Sequence, residues 1–385
     1  CGKCKQVCPM YQPDRGMMAH PRNKNLSFGA LLEAVYYSQV QLGEPAPELL
    51  DRLRRLAERC TACGKCAAVC PVKIDSAQAA LRIRSFLEYK GKSGHRLKHA
   101  TLNWLARDPA RRVPTAAKAA ALGQRAANVG LGLVPPRWRR LSENPVLQGP
   151  GPELDTVSLA KELDLGSRHI FKTPGADRAD TVLYFPGCGA GLFSRDIGLA
   201  SLSLLLSAGF NVVLPPEHLC CGYPLWSSGC MEAYKANRQR GVQALLDVLI
   251  DTGKAGLMAT ALLTSCGTCR EALEGYDLGE DLADPPAHKD VVQFLVERGK
   301  LPRTTAKALY NPACHAEWTG QPKAKAPALY RAALAEATGA DLTMSPGCCG
   351  ESGLGAVTSP DVYNPIRQRK QEQLARDLAG AGREV

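Results

Sequence analysis

Cys60, Cys63, Cys66 and Cys70, with Pro71 behind them, form a C-x2-C-x2-C-x3-C-P run. In such a run three thiolates wrap one [4Fe-4S] cubane and the fourth ligates a second cluster. Gly64 eases the backbone around the tight loop. The crossover demands a second run, and one opens the chain. Cys1-Gly2-Lys3-Cys4, then Cys8-Pro9, repeats Cys63-Gly64-Lys65-Cys66, then Cys70-Pro71, at an offset of 62 residues. This alignment places Cys1, Cys4 and Cys70 on one cluster and Cys60, Cys63, Cys66 and Cys8 on the other. The first-run counterpart of Cys60 would precede residue 1, so the sequence is expected to be a fragment. C-x2-C pairs also suit tetrahedral zinc, which leaves a zinc-binding scaffold as the alternative chemistry; the full run occurring twice favours iron.

A second group of cysteines is built differently. Leu183-Tyr184-Phe185-Pro186-Gly187-Cys188 is echoed 126 residues later by Leu309-Tyr310-Asn311-Pro312-Ala313-Cys314. Cys220-Cys221-Gly222 follows the first after 31 intervening residues, and Cys348-Cys349-Gly350 follows the second after 33. Cys266 and Cys269 add a C-x2-C pair to the first copy. Cys188, Cys220, Cys221, Cys266 and Cys269 are five thiols, more than one cubane or one zinc needs, and are expected to form one metal site. The second copy offers Cys314, Cys348 and Cys349, and the counterpart of its C-x2-C pair falls past residue 385. That copy either completes its site downstream or has lost its metal. Cys230 lies outside the repeat and reads as a small buried residue. His218 and His315 adjoin these cysteines and read as ordinary satisfied histidines, although both could move protons. Gly187, Gly189 and Gly191 lack the spacing of a dinucleotide loop and read as a plain turn, so no flavin is expected on this chain.

These residues need elements to position them. Helical patterns run from Phe28 to Val40 and from Pro47 to Arg59, the second with Leu49, Leu50, Leu53, Leu56 and Ala57 on one stripe. They would pack the two cluster loops together. Asp75 and Ser76 are candidate N-caps for the next helix, and an Ala-rich basic stretch continues to about Val134. Prolines 135, 136, 145, 150 and 152, with Gly149 and Gly151, mark a linker from Pro135 to Pro152. Beyond it, β-rich runs at Thr181 to Phe185, Asn211 to Leu214 and Leu257 to Thr264 alternate with helical patterns near Ile197 to Ser207 and Glu232 to Ile250. This predicts α/β layering around a mainly parallel sheet, with the cysteines at the carboxyl ends of its strands.

The chain carries a net charge of +11, and fifteen Lys or Arg against three acids give +12 between Val72 and Arg140 alone. That block suits an anionic membrane surface or an acidic partner. With no nucleic-acid-binding motif beside it, no nucleic-acid contact is expected. No stretch approaches the roughly 18 apolar residues of a membrane-spanning helix.

The two cysteine runs and the two Cys-Cys-Gly repeats together resemble a family of iron–sulfur electron-transfer proteins. It includes the iron–sulfur subunit of glycolate oxidase, a subunit of anaerobic glycerol-3-phosphate dehydrogenase and the catalytic subunit of heterodisulfide reductase. The chain also resembles the C-terminal half of fused FAD-linked D-lactate dehydrogenase-type oxidases. The family commonly shows Asp-Pro-Cys-His at the second repeat, where this chain has Asn311-Pro312-Ala313-Cys314-His315. The resemblance implies an α+β protein. A helical two-cluster ferredoxin-type domain (1–75) leads through a basic segment and linker (76–152) to two Cys-Cys-Gly repeats (153–300 and 301–385). It also implies two [4Fe-4S] clusters, one or two further iron–sulfur clusters at the repeats, and FAD on a partner or fused domain. The function it implies is electron relay from a FAD-linked 2-hydroxy-acid dehydrogenase to a quinone or other carrier. The alternative it implies is disulfide reduction at a non-cubane cluster.

Overall fold

The structure, a computed structural model, describes residues 1–12, 16–139, 151, 153–280, 282–350 and 355–380. The first part is helical: α1 (Cys4–Val7), α2 (Pro21–Leu42), α3 (Pro47–Glu58), α4 (Lys65–Ala68) and α5 (Ser76–Tyr89). α2 is longer than its apolar pattern suggests. Pro21 starts it where a missing N–H costs nothing, and Gly43 ends it at φ 78°. The α3 stripe of Leu50, Leu53, Leu56 and Ala57 packs on Phe28 and Val35 of α2 and on Ala80, Ile83 and Leu87 of α5. Each fully buried leucine here contributes about 1.5–3 kcal/mol. Asp75 alone caps α5, accepting from the N–H groups of Ala77 and Gln78; Ser76 is the first helical residue and is buried rather than a second cap.

The basic segment forms α6 (Arg96–Arg107) and α7 (Pro109–Gly132), followed by a short α8 (Pro136–Arg139). The linker expected from Pro135 therefore begins with a helical turn that Pro136 opens. Its residues 140–150 and 152 lie outside the described residues.

After α9 (Leu159–Glu162) comes a five-stranded sheet of order β1-β3-β2-β4-β5, from β1 (Ile170–Phe171), β2 (Thr181–Phe185), β3 (Asn211–Val213), β4 (Ala259–Thr264) and β5 (Ala287–Asp290). All its pairings are parallel except β1 with β3. β2 is buried at every position, because both faces of the sheet are covered. Val182 and Tyr184 join one core with α10 (Arg195–Ser207) and α14 (Val291–Glu297). Leu183 and Phe185 join the other with α12 (Met231–Lys254) and α13 (Gly267–Glu274). Between β3 and α12 lies the short α11 (Tyr223–Ser228).

The second repeat is smaller among the described residues. β6 (Lys307–Tyr310) and β7 (Asp341–Met344) pair in parallel, with α15 (Ala326–Thr338) between them and α16 (Pro360–Gly380) behind. Both repeats dock on the helical part. Arg84 of α5 donates to the carbonyls of Ala57, Cys60 and Ser227, and Tyr363 of α16 donates to the carbonyls of Glu58 and Cys60.

Candidate metal centres

Cys8, Cys60, Cys63 and Cys66 line one pocket between the start of α2, the loop after α3 and the start of α5. Gly64 takes φ 66° as the N-cap of α4, the left-handed turn that lets Cys63 and Cys66 face the same space. Burial raises the Cys63 and Cys66 thiols, Cys66 to about 11, and it raises Cys8 although Lys24 pulls the other way. Buried thiols grouped this closely cannot all ionise without a compensating cation, which suits a metal cluster. Cys4 and Cys70 do not line that pocket. The Cys4 sulfur meets His20 Nε2 at 3.6 Å, and the Cys70 sulfur accepts from the Ile74 N–H. Cys1 is exposed.

In the first repeat, β3, β2 and β4 lie side by side and parallel, so the segments that follow them leave from one edge of the sheet. Cys188 follows β2, Cys220 and Cys221 follow β3, and Cys266 and Cys269 follow β4. Their sulfurs gather. The Cys188 thiol hydrogen-bonds Cys220 and feels Cys221 and Cys266, and the Cys269 thiol hydrogen-bonds both Cys221 and Cys266. Those bonds lower Cys220 to about 7 and Cys266 to about 6 and raise their donors. Gly187, at φ 61°, is the glycine the crowding requires: a Cβ there would sit 2.6 Å from the Cys269 sulfur. Gly189 and Gly191 belong to a short π-helical turn rather than a plain turn. His218 reaches the Cys188 sulfur at 3.6 Å through Nε2, and burial pushes it down to about 4, so it stands neutral there.

In the second repeat the Cys348 thiol hydrogen-bonds Cys314 and Cys349, and Cys314 is drawn down to about 6. Buried Lys370 orders the loop ahead of them by donating to the Ser345 and Pro346 carbonyls and the Ser345 hydroxyl. Gly222 and Gly350 do the same job in the two copies. Each takes a positive φ while a helix crosses close by, Asn237 of α12 in the first and the Arg367 backbone of α16 in the second.

These sets meet at a junction that spacing could not reveal. Cys63 and Cys314 lie close enough to influence each other electrostatically. Tyr223 donates to the Ala62 carbonyl in the loop between Cys60 and Cys63, and its hydroxyl lies 3.5 Å from His315 Nε2. His315 Nδ1 pairs with Glu271, which also takes Lys323 at 2.9 Å. Burial works to raise the Glu271 carboxyl, but these partners prevail and hold it at about 2. Contacts spanning 92 or 161 residues leave no local signature for Tyr223. Lys24 is a similar case, buried near Cys8 and donating to the Arg59 carbonyl.

The family comparisons agree with this arrangement. The 4Fe-4S dicluster domain matches residues 1–74, and the cysteine-rich domain matches twice, over 182–274 and 308–380. Lactate utilization protein A of Macrococcus caseolyticus is 27% identical over 49% of this chain and 78% of its own length. The probable glycolate oxidase iron-sulfur subunit of Bacillus subtilis is 25% identical over 78% of the chain and 62% of its own length. One component of the dihydromethanophenazine:CoB--CoM heterodisulfide reductase of Methanosarcina barkeri is 24% identical over 77% of the chain and 61% of its own length. The chain thus spans less than two thirds of the last two relatives. No solved structure matches it. Cysteine runs, converging thiols and both domain matches lead to one conclusion: the chain is an iron–sulfur electron-transfer module that joins a 4Fe-4S dicluster domain to two cysteine-rich domains.

Proposed function

We propose that the chain relays electrons from a FAD-linked dehydrogenase of lactate or glycolate type, on a partner protein or fused domain, to a quinone or other carrier. The observation that carries this reading is the junction, where the Cys8, Cys60, Cys63 and Cys66 set abuts Cys314 of the second repeat and Tyr223 ties in the first. Clusters bound at these cysteines would supply one-electron exchange. In this reading Cys1, Cys4 and Cys70 hold one [4Fe-4S] cluster, and Cys60, Cys63, Cys66 and Cys8 hold the other. Cys188, Cys220, Cys221, Cys266 and Cys269 hold a third group, and Cys314, Cys348 and Cys349 contribute to a fourth. The protein's part is to gather these sulfurs, burying Cys63, Cys221 and Cys269 most deeply, and to place the sets side by side.

Two substitutions test the ligand assignment. Cys63→Ala should abolish one of two dicluster signals in the electron paramagnetic resonance spectrum of the reduced protein, and Cys70→Ala should alter the other. Loss of the same signal in both variants would overturn the crossover. The five-thiol set and the heterodisulfide reductase relative also favour a second reading, disulfide reduction at the first repeat; turnover of a disulfide by the isolated chain would select it.

The proposal extends to location, on the cytoplasmic side and peripheral to the inner face of a membrane. Among the described residues no helix is long and apolar enough to cross one. α7, α8 and the turn between them expose Leu122, Val129, Leu133 and Trp138 beside exposed Lys118, Arg125 and Arg137, a mixture suited to an anionic interface.

A further inference from the structure

Away from the four sulfur sets, one group of side chains has no part in the relay. Glu88 near the end of α5, His99 in α6 and Cys230 at the N-cap of α12 each present one ligand atom, and the three atoms lie within 4.8 Å of one another. His99 and Cys230 are buried, and Glu88 closes the site toward solvent. The expectation that Cys230 is only a small buried residue accounts for its burial but not for its neighbours.

The contacts converge on one atom. His99 Nδ1 lies 2.6 Å from a Glu88 carboxylate oxygen and 3.4 Å from the Cys230 sulfur. A ring nitrogen carries either one hydrogen or one lone pair, so it satisfies one of these partners at a time. A cation between the three atoms satisfies all of them. Zinc bonds of about 2.0–2.3 Å put neighbouring ligand atoms roughly 3.3–3.8 Å apart in a tetrahedron. The sulfur–nitrogen separation already fits, and the carboxylate needs to withdraw by under about 1 Å, which its partly exposed side chain allows.

We propose that Glu88, His99 and Cys230 form a zinc site that pins the first cysteine-rich domain to α5 and α6, the two helices that follow the dicluster domain. Its three ligands come from three different segments, so a bound ion closes loops of chain that packing alone leaves looser. The surroundings are already close-fitting: Gly229, beside Cys230, leaves no room for a Cβ against the Arg84 backbone of α5. Leu102 and Ala106 of α6 share an apolar cluster with Leu225 and Cys230. One thiolate, one carboxylate and one neutral imidazole cancel the charge of Zn²⁺, so the Lys98 ammonium, within electrostatic reach of Cys230 and Glu88, meets a neutral site. Burial lowers His99, which favours the neutral ligating ring. Burial also raises the Cys230 thiol to about 11, so binding releases its proton to solvent as the zinc–sulfur bond forms. No electron is transferred.

The test uses the full chain with its iron–sulfur clusters in place, supplied with one equivalent of zinc chloride and passed over a chelating resin. About one zinc per chain should remain at unchanged iron, and zinc-edge X-ray absorption should show one sulfur at about 2.3 Å with nitrogen or oxygen at about 2.0–2.1 Å. Cys230→Ala and His99→Ala should each lower zinc retention at least tenfold with iron and labile sulfide unchanged. Glu88→Ala, at the exposed edge, serves if either buried variant fails to fold. Failure of the wild type to retain zinc, a zinc shell of three or four sulfurs, or full retention in Cys230→Ala would each overturn the proposal.

Discussion

Gly187→Ala should empty the first cysteine-rich site while leaving the dicluster domain intact. The added Cβ would lie 2.6 Å from the Cys269 sulfur, and the site leaves that sulfur no harmless way out. Cys269 is buried and engaged by Cys221 and Cys266, and its side chain has one rotatable bond, so yielding by about 1 Å means swinging out of the cluster. The φ of 61° adds its own penalty, about 1–2 kcal/mol for a residue with a Cβ in the left-handed region. Overpacking contributes a further 1–3 kcal/mol or so. Together they destabilise the first repeat by about 2–5 kcal/mol. The control lies two residues on: a Cβ at Gly189 meets nothing within 4 Å, and its φ is not positive. Iron and labile sulfide should be measured after anaerobic reconstitution, with urea unfolding followed alongside. Gly187→Ala should lose iron and shift to lower urea, keeping the dicluster signals, while Gly189→Ala should match the wild type in iron content. Equal iron and equal stability in the two variants would refute the close-approach argument.

Two further outcomes follow from charge. Asp290 caps α14 by accepting from the N–H groups of Val292 and Gln293, yet burial pushes its carboxyl up to about 6 from an ordinary 3.8. A raised carboxyl favours the folded state below about 4 and loses that contribution as pH rises through 6; between pH 5 and 7 the loss is about 1.3 kcal/mol. Asp290→Asn should remove this slope, and equal slopes in urea unfolding of the two proteins would count against it. Binding to anionic vesicles through α7 and α8 should weaken as salt rises, since charges are screened beyond about 8 Å at physiological ionic strength. Vesicle binding indifferent to salt, or none at low salt, would exclude an electrostatic contact there.

The convergence of Cys60, Cys63 and Cys66 on one pocket was legible because their spacing is a local property: a C-x2-C loop carries its geometry with it. The strands that present the first repeat's cysteines were legible where burial makes them continuous apolar runs, as in Thr-Val-Leu-Tyr-Phe of β2. β5 was not. Ala287-His288-Lys289-Asp290 has no apolar alternation, and it is a strand because β4 offers it a parallel edge. β1, two residues long, exists through its antiparallel pairing with β3. The length of α7 was hidden by Pro114, which the helix accommodates on a half-buried turn.

What spacing hides most completely is how the sets are held together, and there the physics differs from that of the cores. The dicluster loop meets the first repeat through partly buried polar groups, Arg84 on three carbonyls and Tyr223 on Ala62, and the two repeats meet each other where His315 and Lys323 share Glu271. The repeats also touch backbone to backbone, since Gly267 in the first would drive any Cβ to 2.8 Å from the His315 carbonyl in the second. An apolar face tolerates sliding by an ångström, whereas a buried hydrogen bond or ion pair loses its energy over that distance and leaves a desolvated group behind. Joining the units through directional bonds therefore fixes the separation of the Cys63 and Cys314 sulfurs, the quantity on which any electron exchange between their sets depends. The polar residues at this junction set the positions of the cysteine sets relative to one another.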